Sequence, residues 1–232
     1  MSSKLFFLCM GSVMFFFMQQ VRGQNIYKGY LPESDTLKAN EYCIRFYNNN
    51  FIKNNEYFGP YAEGITYIGS ILQPEIQWQM SKDFSITGGW YLRQFYGRDG
   101  FQQSLPVIRA QYEINSWAQL VVGQFEGRLR HGLIEAIYSP DQYFLKNPEY
   151  GVQLLIQRKQ FHSEIFMDLE RFLLPGEAHK EVITGCLVSS YKFNKVNPEK
   201  GFSLHMQAVI HHMGGQVDVL DAPMQTRANI AG

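Results

Sequence analysis

The feature that most constrains this chain is a period of two. PEIQWQM, Pro74 to Met80, alternates polar and apolar residues without a break, and FSITGGWYL from Phe84 to Leu92 starts a second alternation four residues later. Phe84, Ile86, Trp90 and Leu92 take one face, and Ser85, Thr87, Tyr91 and Arg93 take the other. Successive strand side chains point to opposite sides, so this pattern reads as strand and not as helix. It recurs over Leu105–Ile114, Trp117–Gly127, Tyr150–Arg158, Ser163–Phe172, Glu181–Phe193 and Phe202–Met213, with Glu41–Asn48 and the long run Tyr61–Met80 before them. That makes about nine strand candidates, many about ten residues long.

Period two suits a soluble sandwich, whose apolar face meets a core. It suits equally a membrane barrel, whose apolar face meets lipid while Glu, Gln and Arg line a wet lumen. Candidates near ten residues exceed the five or six usual in soluble sheets. The connections alternate in length. Ser81–Asp83, Asn115–Ser116, the region Lys159–His162 and Asn194–Lys200 are short or fairly short, whereas Asn49–Asn55, Gly97–Ser104, Arg128–Glu149 and Leu173–Lys180 are mostly longer. Outer-membrane barrels alternate periplasmic turns with longer outer loops in this way, and carry aromatic girdles where strands leave the lipid. The chain has 18 Phe and 14 Tyr to place, and Trp78, Trp90 and Trp117 suit such a girdle. The expected fold is all-β, an antiparallel up-and-down transmembrane β-barrel. Nine is odd where single-chain bacterial barrels have even counts. The sequence stops at Ala228-Asn-Ile-Ala-Gly232 without a terminal aromatic residue, so the barrel is read as partial, with C-terminal strands missing.

Lys4, the apolar run Leu5–Phe17 and Val21-Arg22-Gly23 have the order of a secretory signal peptide. The chain then divides into a signal peptide (1–23), an N-terminal extension (24–40) and the partial outer-membrane barrel (41–232). Removing the leader deletes Lys4 and Arg22 and no acid, which leaves 21 acidic residues two ahead of the basic ones. A net charge near zero offers no footprint for nucleic acid. Beyond the leader only Cys43 and Cys186 remain, too few for a disulfide framework, and the spacing leaves open whether they pair.

Several segments carry a resemblance. Gly123-Gln-Phe-Glu-Gly127, then His131-Gly-Leu-Ile-Glu135, Tyr138 and Glu149-Tyr-Gly-Val-Gln153, together with Asn55-Glu-Tyr-Phe58 and Gly64-Ile-Thr-Tyr-Ile-Gly69, are similar to an uncharacterised group of outer-membrane β-barrel, porin-like proteins of Bacteroidetes-type bacteria. The resemblance runs from about Asn54 to Phe193 and implies location and architecture: the cell outer membrane, contact with outer-membrane lipid, and passage of small polar solutes, in a homo-oligomer or alone.

In a barrel the polar faces would turn Glu75, Gln77, Gln79, Arg93, Arg109, Gln111, Glu113, Glu164, Asp168 and Glu170 into the lumen, where charge at close range tunes permeation. The Arg128–Glu149 connection is the longest and has apolar character in Leu133–Tyr138, with Ser139-Pro140-Asp141 as a helix start. Folded inward, it would place Arg128, Arg130, His131 and Glu135 at a constriction. His131 and Glu135 are four apart, a spacing that suits one helical face but makes no metal site without further ligands. No G-x-S-x-G, H-E-x-x-H, phosphate-binding loop or cysteine zinc pattern occurs. The reading is a non-enzymatic channel for passive diffusion with no cofactor. Two alternatives remain: a soluble exported glycan-binding module using Trp78, Trp90, Tyr91 and Tyr112 as stacking platforms, and a small outer-membrane barrel hydrolase with a Ser or Asp and a His near its rim.

Overall fold

The computed structural model describes residues 37–59, 62–125, 127, 130–177, 179–194, 196, 201–214 and 224–232; the expected signal peptide lies outside them. Ten antiparallel strands form one sheet in sequence order: β1 (Tyr42–Gly59), β2 (Ala62–Gln79), β3 (Phe84–Phe95), β4 (Gln103–Asn115), β5 (Ala118–Phe125), β6 (Glu149–Gln157), β7 (Phe161–Arg171), β8 (Glu181–Lys192), β9 (Ser203–Gly214) and β10 (Gln225–Ala231). The one helix among the described residues is α1 (Gln142–Leu145). The fold is thus all-β, antiparallel and up-and-down. β1 and β10 are its edges and do not pair with each other, so the sheet is open.

Three expectations about boundaries change. Asn49–Asn55 is not a loop but the middle of β1, paired from Asn49↔Ile71 to Asn55↔Ile65. The continuous apolar run of β2 supplies the ladder, and pairing overrides the poor strand propensity of asparagine. β10, sequence QTRANIA, makes a tenth strand by register alone, from Gln225↔Met213 to Ala231↔Gln207. Finally, α1 begins one residue beyond the Ser-Pro-Asp signal, with Asp141 at its N-cap.

Burial runs opposite to that of a sheet in water. On β3, Ser85, Thr87 and Arg93 are buried while Ile86 and Trp90 are exposed. On β4, Arg109 is buried and Ile108 is 65% exposed; on β1, Ile44 reaches 80%. Tyr42, Trp78, Tyr112, Trp117, Tyr191 and Phe193 gather at the end of the sheet that carries the short turns, where Tyr42 stacks on Trp78 with ring centroids 5.7 Å apart. Trp90 lies further along β3.

The interior is filled by the connection between β5 and β6, which packs against both walls. Leu133, Ile137 and Tyr138 join a cluster of Val121, Phe125, Phe166, Cys186, Val188 and Val209 from β5 and β7–β9. Tyr143 and Phe144 join Phe51, Tyr67, Ile71, Tyr91 and Val107 from β1–β4. Phe144 touches Phe51 with centroids 4.7 Å apart. Arg93 donates to the carbonyl oxygens of Leu145 (3.1 Å) and Lys146, groups that the end of a short helix leaves without helical partners. Lys53 of β1 pairs with Asp141 at the other end of α1.

Candidate active site

The inward polar residues form three groups, named lowest, middle and upper in the order in which they are described. In the lowest, the Arg109 guanidinium lies 2.7 Å from Glu75 Oε1, which also accepts from Gln73 at 2.6 Å. Gln77 and Gln79 are buried below them; Gln79 donates to the Ser81 carbonyl oxygen at 2.7 Å. Gln111 and Glu113 are half-buried, and Glu113 accepts from Gln119.

The middle group centres on His131. Its ring is fully buried, with Nδ1 2.6 Å from Glu164 and Nε2 2.9 Å from Glu149. Tyr138 donates its hydroxyl to Glu149, and Gln153 donates to Glu164 at 2.6 Å. The imidazole lies over the Phe166 ring with centroids 4.0 Å apart. Burial alone would depress the His131 pKa, but Glu149 and Glu164 outweigh it and push the pKa up to about 10. His131 is therefore an imidazolium at neutral pH, donating from both nitrogens. A group that holds its proton so firmly is a brace and not a base. Gly127 completes the packing, since a side-chain carbon there would meet Glu149 Oε2 and the His131 ring.

The upper group is a relay near the long-connection ends of β7, β8 and β9. Lys146 Nζ lies 2.7 Å from Glu170 Oε2. The Thr184 hydroxyl donates to Glu170 Oε1 at 2.6 Å and lies 3.0 Å from His211 Nδ1. With its proton committed to Glu170, Thr184 accepts from His211 Nδ1–H. Among the described residues nothing hydrogen-bonds the other ring nitrogen, Nε2. The His211 side chain is 36% exposed, whereas Thr184 is 3% exposed. Adjacent strands bring these residues together: Asp168 faces Thr184, and Thr184 faces His211. Glu170 is the extra residue of a bulge between Leu169 and Arg171, a device that re-aims a side chain. Asp168 itself is buried and accepts from the Tyr150 backbone N–H at 2.9 Å.

Two further hydroxyl–imidazole pairs exist among the described residues, Ser203 with His205 and Thr226 with His212, each at 2.9 Å. Only the Thr184–His211 pair has a carboxylate within hydrogen-bond reach. Of the four residues expected at a constriction, His131 is buried in the middle group and Arg130 lines a cavity beside Glu149. Glu135 is exposed and does not share a helical face with His131, because residues 131–138 are not helical. Arg128 lies outside the described residues. The described residues hold no cluster of three or more His, Cys, Asp or Glu arranged for a metal ion. Cys43 and Cys186 are both free thiols.

The model of the family described as Lipid A 3'-O-deacylase-type matches residues 33–232, most of the chain. The chain belongs to this family. No curated protein and no solved structure matches it. Membership of a deacylase family corrects three expectations: the resemblance to an uncharacterised porin-like group, the role as a passive channel, and the absence of catalysis. Sequence reading missed Lys146, Thr184 and His211. The signal that joins Thr184 and His211 to β7 is the register of the two hairpins β7–β8 and β8–β9.

Proposed function

We propose that the protein is an outer-membrane hydrolase that removes an ester-linked acyl chain from lipid A, at the 3' oxygen for which the family is named. The observation that carries the reading is the Lys146–Glu170–Thr184–His211 relay, a hydrogen-bonded chain that ends in a partly exposed imidazole near the long-connection ends of a deacylase-family sheet. The outward apolar face and the aromatic ring at the short-turn end support a seat in the membrane. The long-connection rim would then face the leaflet that holds lipid A.

In the mechanism, His211 Nε2 removes a proton from a water molecule as the water oxygen attacks the ester carbonyl carbon. The bond between that carbon and the sugar oxygen then breaks, and the imidazolium returns its proton to the departing alkoxide, leaving a fatty acid and a free hydroxyl. Thr184 and Glu170 hold the tautomer and orient the ring, as the third member of a catalytic triad does. Lys146 anchors Glu170 and places a positive charge beside the reacting ester. Burial of Thr184 favours this role over that of a nucleophile.

The test is deacylation of lipid A vesicles by the refolded full chain, read by mass spectrometry of the lipid and by fatty-acid release. His211→Ala is expected to lower kcat by about 10²- to 10⁴-fold, the usual contribution of a general base, with KM little changed. Thr184→Ser should retain activity and Thr184→Val should lose most of it. Undiminished activity in His211→Ala would overturn the assignment; loss in Ser203→Ala alone would move the chemistry to the Ser203–His205 pair.

A further inference from the structure

A cavity of about 90 Å³, partly open to solvent, lies among β1–β3, the end of β5 and the segment that leads into β6. Three tyrosines line it, Tyr47, Tyr91 and Tyr143, alongside the amides of Gln73, Gln124 and Asn147. Asn49 holds the Tyr143 hydroxyl at 3.1 Å and thereby fixes that ring.

The chemistry of the lining separates two occupants. An acyl chain would suit the aromatic faces but would seal off the amides. Gln124 is 4% exposed, and its side-chain oxygen has no hydrogen-bond partner among the described residues. Covering such an acceptor with hydrocarbon leaves it unsatisfied at full desolvation cost. A sugar ring meets both demands. Its C–H faces lie on aromatic rings, and its hydroxyls both donate and accept, as amides do.

We infer that this cavity binds the saccharide headgroup of the lipid substrate, an inference that rests on the hydrolase reading above. The chain itself links the two sites. Asn147 lines the cavity, and its neighbour Lys146 grips Glu170 of the relay, so their Cα atoms are about 3.8 Å apart. A headgroup seated here leaves its acyl ester directed toward His211, and the sugar decides which ester is presented. Of the four aromatics that the sequence offers as stacking platforms, only Tyr91 is among the lining residues; Trp90 and Tyr112 are exposed on the outward face.

The test compares the wild type with Tyr143→Leu and Asn147→Ala, each checked for folding by heat-modifiable gel mobility. Two substrates are used, lipid A vesicles and a p-nitrophenyl acyl ester that lacks a sugar, and a glucosamine disaccharide is titrated calorimetrically. The variants should raise KM for lipid A about tenfold with kcat intact, and weaken disaccharide binding by a similar factor. Cleavage of the p-nitrophenyl ester should not change. Equal effects on both substrates, or no disaccharide binding by an active wild type, would overturn the subsite. Disaccharide binding without any response to lipid A vesicles would also overturn it, as a site for free sugar. If no ester is cleaved but the disaccharide binds the wild type and not Tyr143→Leu, the sugar site stands and the hydrolase reading falls.

Discussion

Replacing His131 by Ala tests whether the centre of the molecule is held by charge. The substitution removes the one cation between Glu149 and Glu164, which lie 2.9 and 2.6 Å from its ring nitrogens in a fully buried setting. Removing one partner of a buried ion pair costs about 3–5 kcal/mol, because a charge is left without compensation. The linkage gives a second measure. The folded pKa of about 10 stands above the ordinary histidine value of 6.5, so the folded state holds a proton that the unfolded chain releases first. This contribution is complete below pH 6.5, declines as pH rises, and is lost by about pH 10. Over that window it amounts to something on the order of 5 kcal/mol, in line with the direct figure. The assay is thermal unfolding of the refolded chain in detergent, followed by heat-modifiable mobility, at steps between pH 6 and pH 10. The wild type should lose stability steadily across the range, and the variant should start lower and show a flatter profile. Parallel profiles would refute the reasoning, since they would mean that His131 contributes packing against Phe166 and no charge.

Two other substitutions probe the same interior. Gly127→Ala places a methyl group against Glu149 and His131 and should cost about 1–3 kcal/mol by overpacking, read as a lower unfolding midpoint with the pH profile displaced downward. Arg109→Met alone should cost about 3–5 kcal/mol by stranding the buried Glu75 carboxylate, while the double variant Glu75→Gln/Arg109→Met should recover most of that loss in a double-mutant cycle.

Strand type was legible in the sequence because the two faces differ in chemistry. Ser85, Thr87, Tyr91 and Arg93 turn inward together because a one-residue slip would bury Ile86 and expose Arg93. β10 was not legible, since QTRANIA has no alternating apolar set and owes its conformation to β9. The asparagines of β1 misled for the same reason: local propensity spoke for a loop, and β2 decided otherwise. The inward packing of residues 133–144 could be anticipated from the apolar character of Leu133–Tyr138, but the ion pairs of His131 could not. Only the arrival of Glu149 and Glu164 from neighbouring strands turns the histidine into a fixed cation. The relay was hidden more deeply, because Lys146, Glu170, Thr184 and His211 span 65 positions and share no short motif.

The residues that carried the family-like resemblance explain why a channel was the natural first reading and why it does not hold. Phe125, Gly127, His131, Tyr138, Glu149 and Gln153 all meet in one buried cluster around His131 and its carboxylates. His131 between two carboxylates is a buried, ion-paired packing centre and not a wall of solvated charge. On the hydrolase reading proposed above, Lys146 and Asn147 have different tasks: one steadies the relay at Glu170, the other lines the cavity. Catalysis needs reacting groups held within a fraction of an ångström, which a loop achieves only when its own supports are rigid. The aromatic clusters on both walls and the ionic brace at the centre supply that rigidity. On the reading proposed above, the apolar outward face is left to meet lipid and the interior to position one imidazole.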